Sequence, residues 1–191
     1  MVVAYGIKVK ITTRSLIAIG VIAGCFSPQG HTGVPAVAVD IPPVASLVHQ
    51  VMGDLGQPRL IVPTGVSPHS HTMRPSQART LQNADIVFWV GRDLTVGLAR
   101  SIKALASNAV SVSLIDVPGI TLLPFRHGTT FEENSHEAHD HNGGTDPHVW
   151  LDPENAQVWL EVIAAELAKL DPDNASSYLH RAREGRDALT K

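Results

Sequence analysis

The sequence predicts an α/β fold, a parallel sheet flanked by helices and followed by a long connecting helical region. Short apolar runs at residues 37–41, 59–62, 85–90 and 110–115 read as strands. Stretches of helical periodicity separate them, which argues for a parallel sheet covered on both faces. Residues 153–191 then carry helical signals only.

Each element has a local reason. Val37-Ala-Val-Asp-Ile41 is closed by Pro42-Pro43, and Val44, Leu47, Val48 and Met52 follow at helical spacing before Gly53. The strand at 59–62 is stopped by Pro63. A short helix at 75–81 begins with proline, where a missing N–H costs little. Asp85-Ile-Val-Phe-Trp-Val90 is the clearest strand and ends at Gly91. Residues 94–106 read as a helix and 110–115 as the next strand. Asp152 is placed to cap a helix that has Pro153 at its first position. Ala156, Trp159, Leu160, Ile163, Leu167 and Leu170 form its apolar stripe. Asp171-Pro172 repeats that start signal before Ala175, Tyr178, Leu179, Ala182 and Leu189.

The N-terminus reads as an address. Lys8, Lys10 and Arg14 precede an uncharged run, residues 15–26, of the length and character of a secretory signal peptide. The run is too short to cross a bilayer, which takes roughly 20 helical residues. Ile22-Ala-Gly-Cys25 resembles a bacterial lipobox, which would make Cys25 a lipid anchor; ordinary cleavage nearby is the alternative. Either outcome places the working chain outside the cytoplasm. The expected organisation is a signal peptide at 1–25, a Gly/Pro-rich lead-in at 26–36, an α/β lobe at 37–152 and the start of a helical connector at 153–191.

Composition narrows the function. The 191 residues include 43% hydrophobic and 17% charged side chains, enough apolar material for a core. A net charge of −3 gives no electrostatic case for nucleic acid. One cysteine excludes a disulfide framework and a Cys-rich zinc site within the chain. The outlier is ten histidines, against two tyrosines and four phenylalanines.

The histidines gather in three places. His69 and His71 lie in Ser67-Pro-His-Ser-His-Thr-Met-Arg74-Pro75-Ser76, after the second strand. His148 lies in Asp146-Pro-His-Val-Trp-Leu-Asp-Pro153, a turn stiffened by two prolines. His136, His139 and His141 lie in a tract at 127–145 that also holds Glu132, Glu133, Glu137 and Asp140. Neutral imidazole is the commonest metal ligand and suits zinc, copper and nickel better than calcium or magnesium. The carboxyl ends of parallel strands are where such folds place ligands.

Three segments in order carry a resemblance: residues 62–76 around His69, Leu81-Gln-Asn-Ala-Asp-Ile-Val-Phe-Trp-Val-Gly91, and the Asp146–Pro153 motif, with the His-rich tract between the last two. They resemble the zinc-specific substrate-binding proteins of bacterial ABC metal importers. The resemblance implies that His69 and His148 are metal ligands, and that the tract with His136, His139 and His141 collects zinc. His71 has no ligand counterpart in the family pattern and is an accessory candidate. It also implies Zn²⁺ as the transported ligand, a membrane permease as partner, a periplasmic setting, a monomer and no catalysis. Pro68 stands where some relatives have an acidic residue, so no carboxylate contact is offered there. The family has two lobes that clamp the metal between them. This sequence matches the first lobe and the start of the connector, with nothing resembling the second lobe's motif, so two of three or four expected ligands are present. The expectation is a chain truncated after the first lobe.

Two other classes fit the same residues. A zinc hydrolase would use His69, His71 and His148 as ligands, with Asp146 or Asp152 as base. A periplasmic zinc buffer or chaperone would act through the His-rich tract alone.

Overall fold

The computed structural model describes residues 33–125 and 144–190. The expected signal segment, Cys25, and His136, His139 and His141 lie outside the described residues.

Four parallel strands, β1 (Val37–Val39), β2 (Arg59–Leu60), β3 (Ile86–Trp89) and β4 (Val110–Ser113), form one sheet in the order β2-β1-β3-β4. The register pairs Ala38 with Arg59 and Val87, and Phe88 with Val112. The helices α1 (Pro42–Met52), α2 (Pro75–Gln82), α3 (Leu98–Leu105), α4 (Pro153–Leu170) and α5 (Ala175–Leu189) cover it. Because β2 and β3 lie on opposite sides of β1, right-handed crossovers place α1 on one face and α2 on the other.

Period-2 side-chain alternation splits the core accordingly. Val37, Val39, Ile86 and Phe88 face a large cluster with Val44, Val48, Trp159, Leu160, Ile163, Tyr178 and Ala182 from α1, α4 and α5. Ala38, Val87 and Trp89 face a smaller one with Leu81, Leu98 and Ile102 from α2 and α3. Trp159 donates its indole N–H to the Leu114 carbonyl at 3.0 Å, so α4 is pinned to the chain just beyond β4.

Several elements are shorter than their sequence signals. β1 ends at Val39, and the next residue, Asp40, turns inward and uses its carboxylate as a clamp. It accepts from Ile41 N and from Val90 N, both at 2.8 Å, while its carbonyl accepts from Val62 N at 2.9 Å. Pro42 and Pro43 do more than end the strand; they form the first turn of α1. The helix expected from residue 94 begins at Leu98; Leu94 is buried but precedes the helix. The strand expected through 115 ends at Ser113, and Leu114–Asp116 form a 3₁₀ turn. Gly91 closes β3 at φ 154°, and a Cβ there would meet Ile115 Cγ2 at 2.6 Å.

Asp152 caps α4 by accepting from Glu154 N at 2.8 Å. Asp171, with the same Asp-Pro signal, makes no such cap. Its carboxylate accepts from the Tyr178 hydroxyl at 2.7 Å and from Asn174 Nδ2 at 2.8 Å. A buried tyrosine needs a partner, and this one captured the aspartate. Burial, then the Asp171 hydrogen bond, pushes the Tyr178 pKa up.

Candidate metal centre

The first histidine segment grows out of β2. Ile61 N and Val62 N continue the ladder onto β1 at 2.8 and 2.9 Å before Pro63 ends it. A turn around Gly65 (φ 81°) leads to a 3₁₀ turn, Pro68–Ser70, with His69 at its centre and exposed. His71 leaves that turn extended, and its Nε2–H donates to Gln77 Oε1 at 3.1 Å. The same oxygen accepts from Arg74 N at 2.7 Å and so closes the start of α2.

The second segment begins at an antiparallel bridge, Pro124 with Thr145, rather than at a strand of the sheet. Phe125 N bonds to Gly144 O and Asp146 N to Leu123 O, which clasps both ends of the interval 126–143. Asp146 then folds back on its neighbour. One carboxylate oxygen accepts from His148 N at 2.9 Å and from His148 Nδ1 at 2.6 Å. An ionised carboxylate only accepts, so Nδ1 carries the proton and Nε2 keeps its lone pair. The His148 ring also lies beside Trp150, with centroids 5.1 Å apart.

Asn155, in the first turn of α4, holds this turn from beneath. Its side chain is 1% exposed. It donates to Val149 O at 3.0 Å and Thr121 O at 2.9 Å, and accepts from Thr121 N at 2.6 Å. Sequence reasoning passed over Asn155, whose partners at Thr121 are 34 positions away.

The fold brings two of the three described histidine candidates together. The rings of His69 and His148 have centroids 5.4 Å apart at 60°. His71 is engaged with Gln77. Among the described residues no group of three His, Cys, Asp or Glu side chains is placed to hold a metal ion. The three-histidine arrangement required by a hydrolase is therefore not among them. Beside the pair opens a cleft of about 370 Å³, lined by Leu123, His148, Leu151 and Asn155 among others.

Comparison with known proteins gives this pair a setting. Residues 37–191 match the family model of ZnuA, the periplasmic zinc-uptake complex component A. The chain belongs to the ZnuA family. It is 38% identical over 186 residues to the high-affinity zinc uptake system protein ZnuA of Paracoccus denitrificans, covering 87% of this chain and 57% of that protein. The protein of the same description from Brucella abortus is 34% identical, covering 81% of this chain and 56% of its own. A crystal structure of a ZnuA deletion mutant with zinc bound superposes with a TM-score of 0.67 at 27% identity, over 81% of this chain and 54% of that one. The chain thus spans a little over half the length of these relatives.

Proposed function

We propose that this chain forms one wall of an extracytoplasmic zinc site, with His69 and His148 as two of the metal's ligands. In this reading the whole protein captures Zn²⁺ and delivers it to the permease of an ABC importer, without catalysis. The observation that carries it is the ring separation. Two imidazoles on one tetrahedral zinc, with Zn–N of about 2.0–2.1 Å, place their ring centres about 5.2 Å apart. His69 and His148 stand at 5.4 Å. Membership of the ZnuA family, and relatives named as zinc uptake proteins, support the choice of metal.

Residues 1–25 are an export signal in this proposal, with Cys25 as a candidate lipid anchor, and 26–36 are a lead-in. Residues 37–152 are the first lobe, and 153–191 lead toward the part of the relatives that this chain does not span. The remaining ligands come from outside the described residues or from water. The tract with His136, His139 and His141 collects metal and passes it to the pair.

Zinc titration calorimetry tests the assignment. Wild type should show a tight step that the double variant His69→Ala/His148→Ala loses, while a deletion of 131–145 keeps it. A double variant with an unchanged tight step removes His69 and His148 from the site. Loss of that step on deletion of 131–145 makes the tract, rather than the pair, the binder.

A further inference from the structure

We propose that the face built by α2 and α3 is a docking surface for an anionic lipid bilayer. The basis is a charge asymmetry that the fold converts from linear to spatial. Residues 59–109 contain six basic side chains (Arg59, Arg74, Arg79, Arg92, Arg100, Lys103) and two acidic ones, Asp85 and Asp93. Residues 144–190 contain nine acidic and four basic. The first stretch supplies α2 and α3 on one side of the sheet; the second supplies α4 and α5 on the other.

The two sides also use their cations differently. On α4 and α5, Lys169 pairs with Glu166 and Arg186 with Glu161, and Arg181 donates to Met52 O; Arg183 is exposed and makes no ion pair among the described residues. Among the described residues, the side chains of Arg59, Arg79, Arg92, Arg100 and Lys103 make no ion pair, and all five residues are exposed. Unpaired surface cations are free to exchange their counterions for headgroup phosphates at little desolvation cost.

These cations line two separate clefts. Arg92, Arg100 and Lys103 outnumber the single acidic residue, Asp93, in the lining of a shallow cleft of about 880 Å³ that also holds Val96, which is 70% exposed and offers an apolar contact among the charges. Arg59 and Arg79 line a second cleft of about 320 Å³ together with Ser76 and Asn83, polar groups suited to phosphate oxygens. The second cleft also contains Ala36 and Val37, where the chain enters β1. Val37 is twelve residues from Cys25, at most about 40 Å of extended chain. A chain held at the membrane near Cys25 would keep this edge within about 40 Å of the bilayer.

The proposal is independent of the metal reading, because it concerns the metal-free chain. Its test is cosedimentation of the full chain with phosphatidylglycerol/phosphatidylcholine vesicles and with phosphatidylcholine vesicles alone, at low and high salt. Amide hydrogen exchange of the bound protein then locates the contact. Each basic side chain near an anionic surface contributes about a fivefold gain in partitioning. Arg92→Gln/Arg100→Gln/Lys103→Gln should therefore bind the anionic vesicles roughly 100-fold more weakly at low salt. Arg183→Gln, on α5, should change binding less than about twofold. Binding should fall with salt, and protection should appear in α2 and α3. A triple variant that binds like wild type overturns the proposal, as does protection confined to α4 and α5. Wild type with no preference for the anionic vesicles overturns it too, and leaves the face to an acidic protein partner.

Discussion

The two histidines brought together in the fold are held in opposite ways. His148 is gripped at three points: Asp146 on its Nδ1 and its backbone N–H, Trp150 against its ring, and Asn155 under the following residue. His69 rides an exposed 3₁₀ turn, and its one ring contact among the described residues is His148 itself. The contrast suggests a division of labour. In the proposed site, His148 would serve as a preset ligand with a fixed tautomer and His69 as an adjustable one.

Removing the grip on His148 is the strongest way to break that contrast. Asp146→Ala should weaken zinc binding by roughly 10- to 100-fold, the usual cost of losing a group that orients a metal-bound imidazole. Imidazole ¹⁵N spectra of the metal-free protein should show His148 leaving the Nδ1–H tautomer, with His69 unchanged. A His148 spectrum identical to wild type would mean that Asp146 does not set the tautomer.

Asn155→Ala acts one step further back. It leaves Thr121 and Val149 backbone groups unpaired, which should cost about 2–3 kcal/mol of stability in denaturant unfolding. Zinc affinity should drop severalfold through displacement of the His148 turn. An unchanged midpoint would show that water replaces the amide.

Asp40 lies on neither histidine segment, yet it joins the strand end leading to the His69 turn with the end of β3. Burial raises its pKa from 3.8 to about 7, against the lowering effect of its backbone hydrogen bonds. The folded state therefore holds this proton more tightly than the unfolded one. The resulting contribution is present in acid and is lost as pH climbs from about 4 to about 7. Asp40→Asn should flatten that part of the stability–pH profile measured by thermal unfolding. A slope that survives the substitution belongs to another group.

The smallest effect is expected at His71. With its Nε2–H on Gln77, His71→Gln should change zinc affinity less than about threefold and stability by less than about 0.5 kcal/mol, the usual range for a surface substitution. A loss as large as that of His69→Ala would make His71 a ligand and reverse the assignment.

Much of this arrangement is legible along the chain because its signals are local. Apolar runs give the four strands, Pro153 and Asp152 give the start of α4, and the motifs around His69 and His148 mark both histidines. What sequence conceals depends on partners far away. Asp152-Pro153 and Asp171-Pro172 are indistinguishable as text, yet one carboxylate caps a helix and the other answers a buried tyrosine. Asp40 reads as a blemish in an apolar run and proves to be a clamp between strands, its acceptor role at Val90 set 50 positions away. The capture of His71 by Gln77 likewise follows from how the chain turns at Arg74, which no spacing rule encodes.

The seat of α5 has a consequence for the order in which the fold is acquired. Tyr178 and Ala182 belong to the same cluster as Val37 and Val44, and Arg181 reaches back 129 positions to the Met52 carbonyl. Gly185 is so close to Gln50 that a Cβ there would meet the Gln50 amide at 2.6 Å. Loops of that length carry a closure entropy that must be met before the contacts form. During synthesis, β1 and α1 emerge about a hundred residues ahead of α4 and α5, the helices that share their core cluster. The contacts of α5 with β1 and α1 can therefore form only once residues 175–189 have been made.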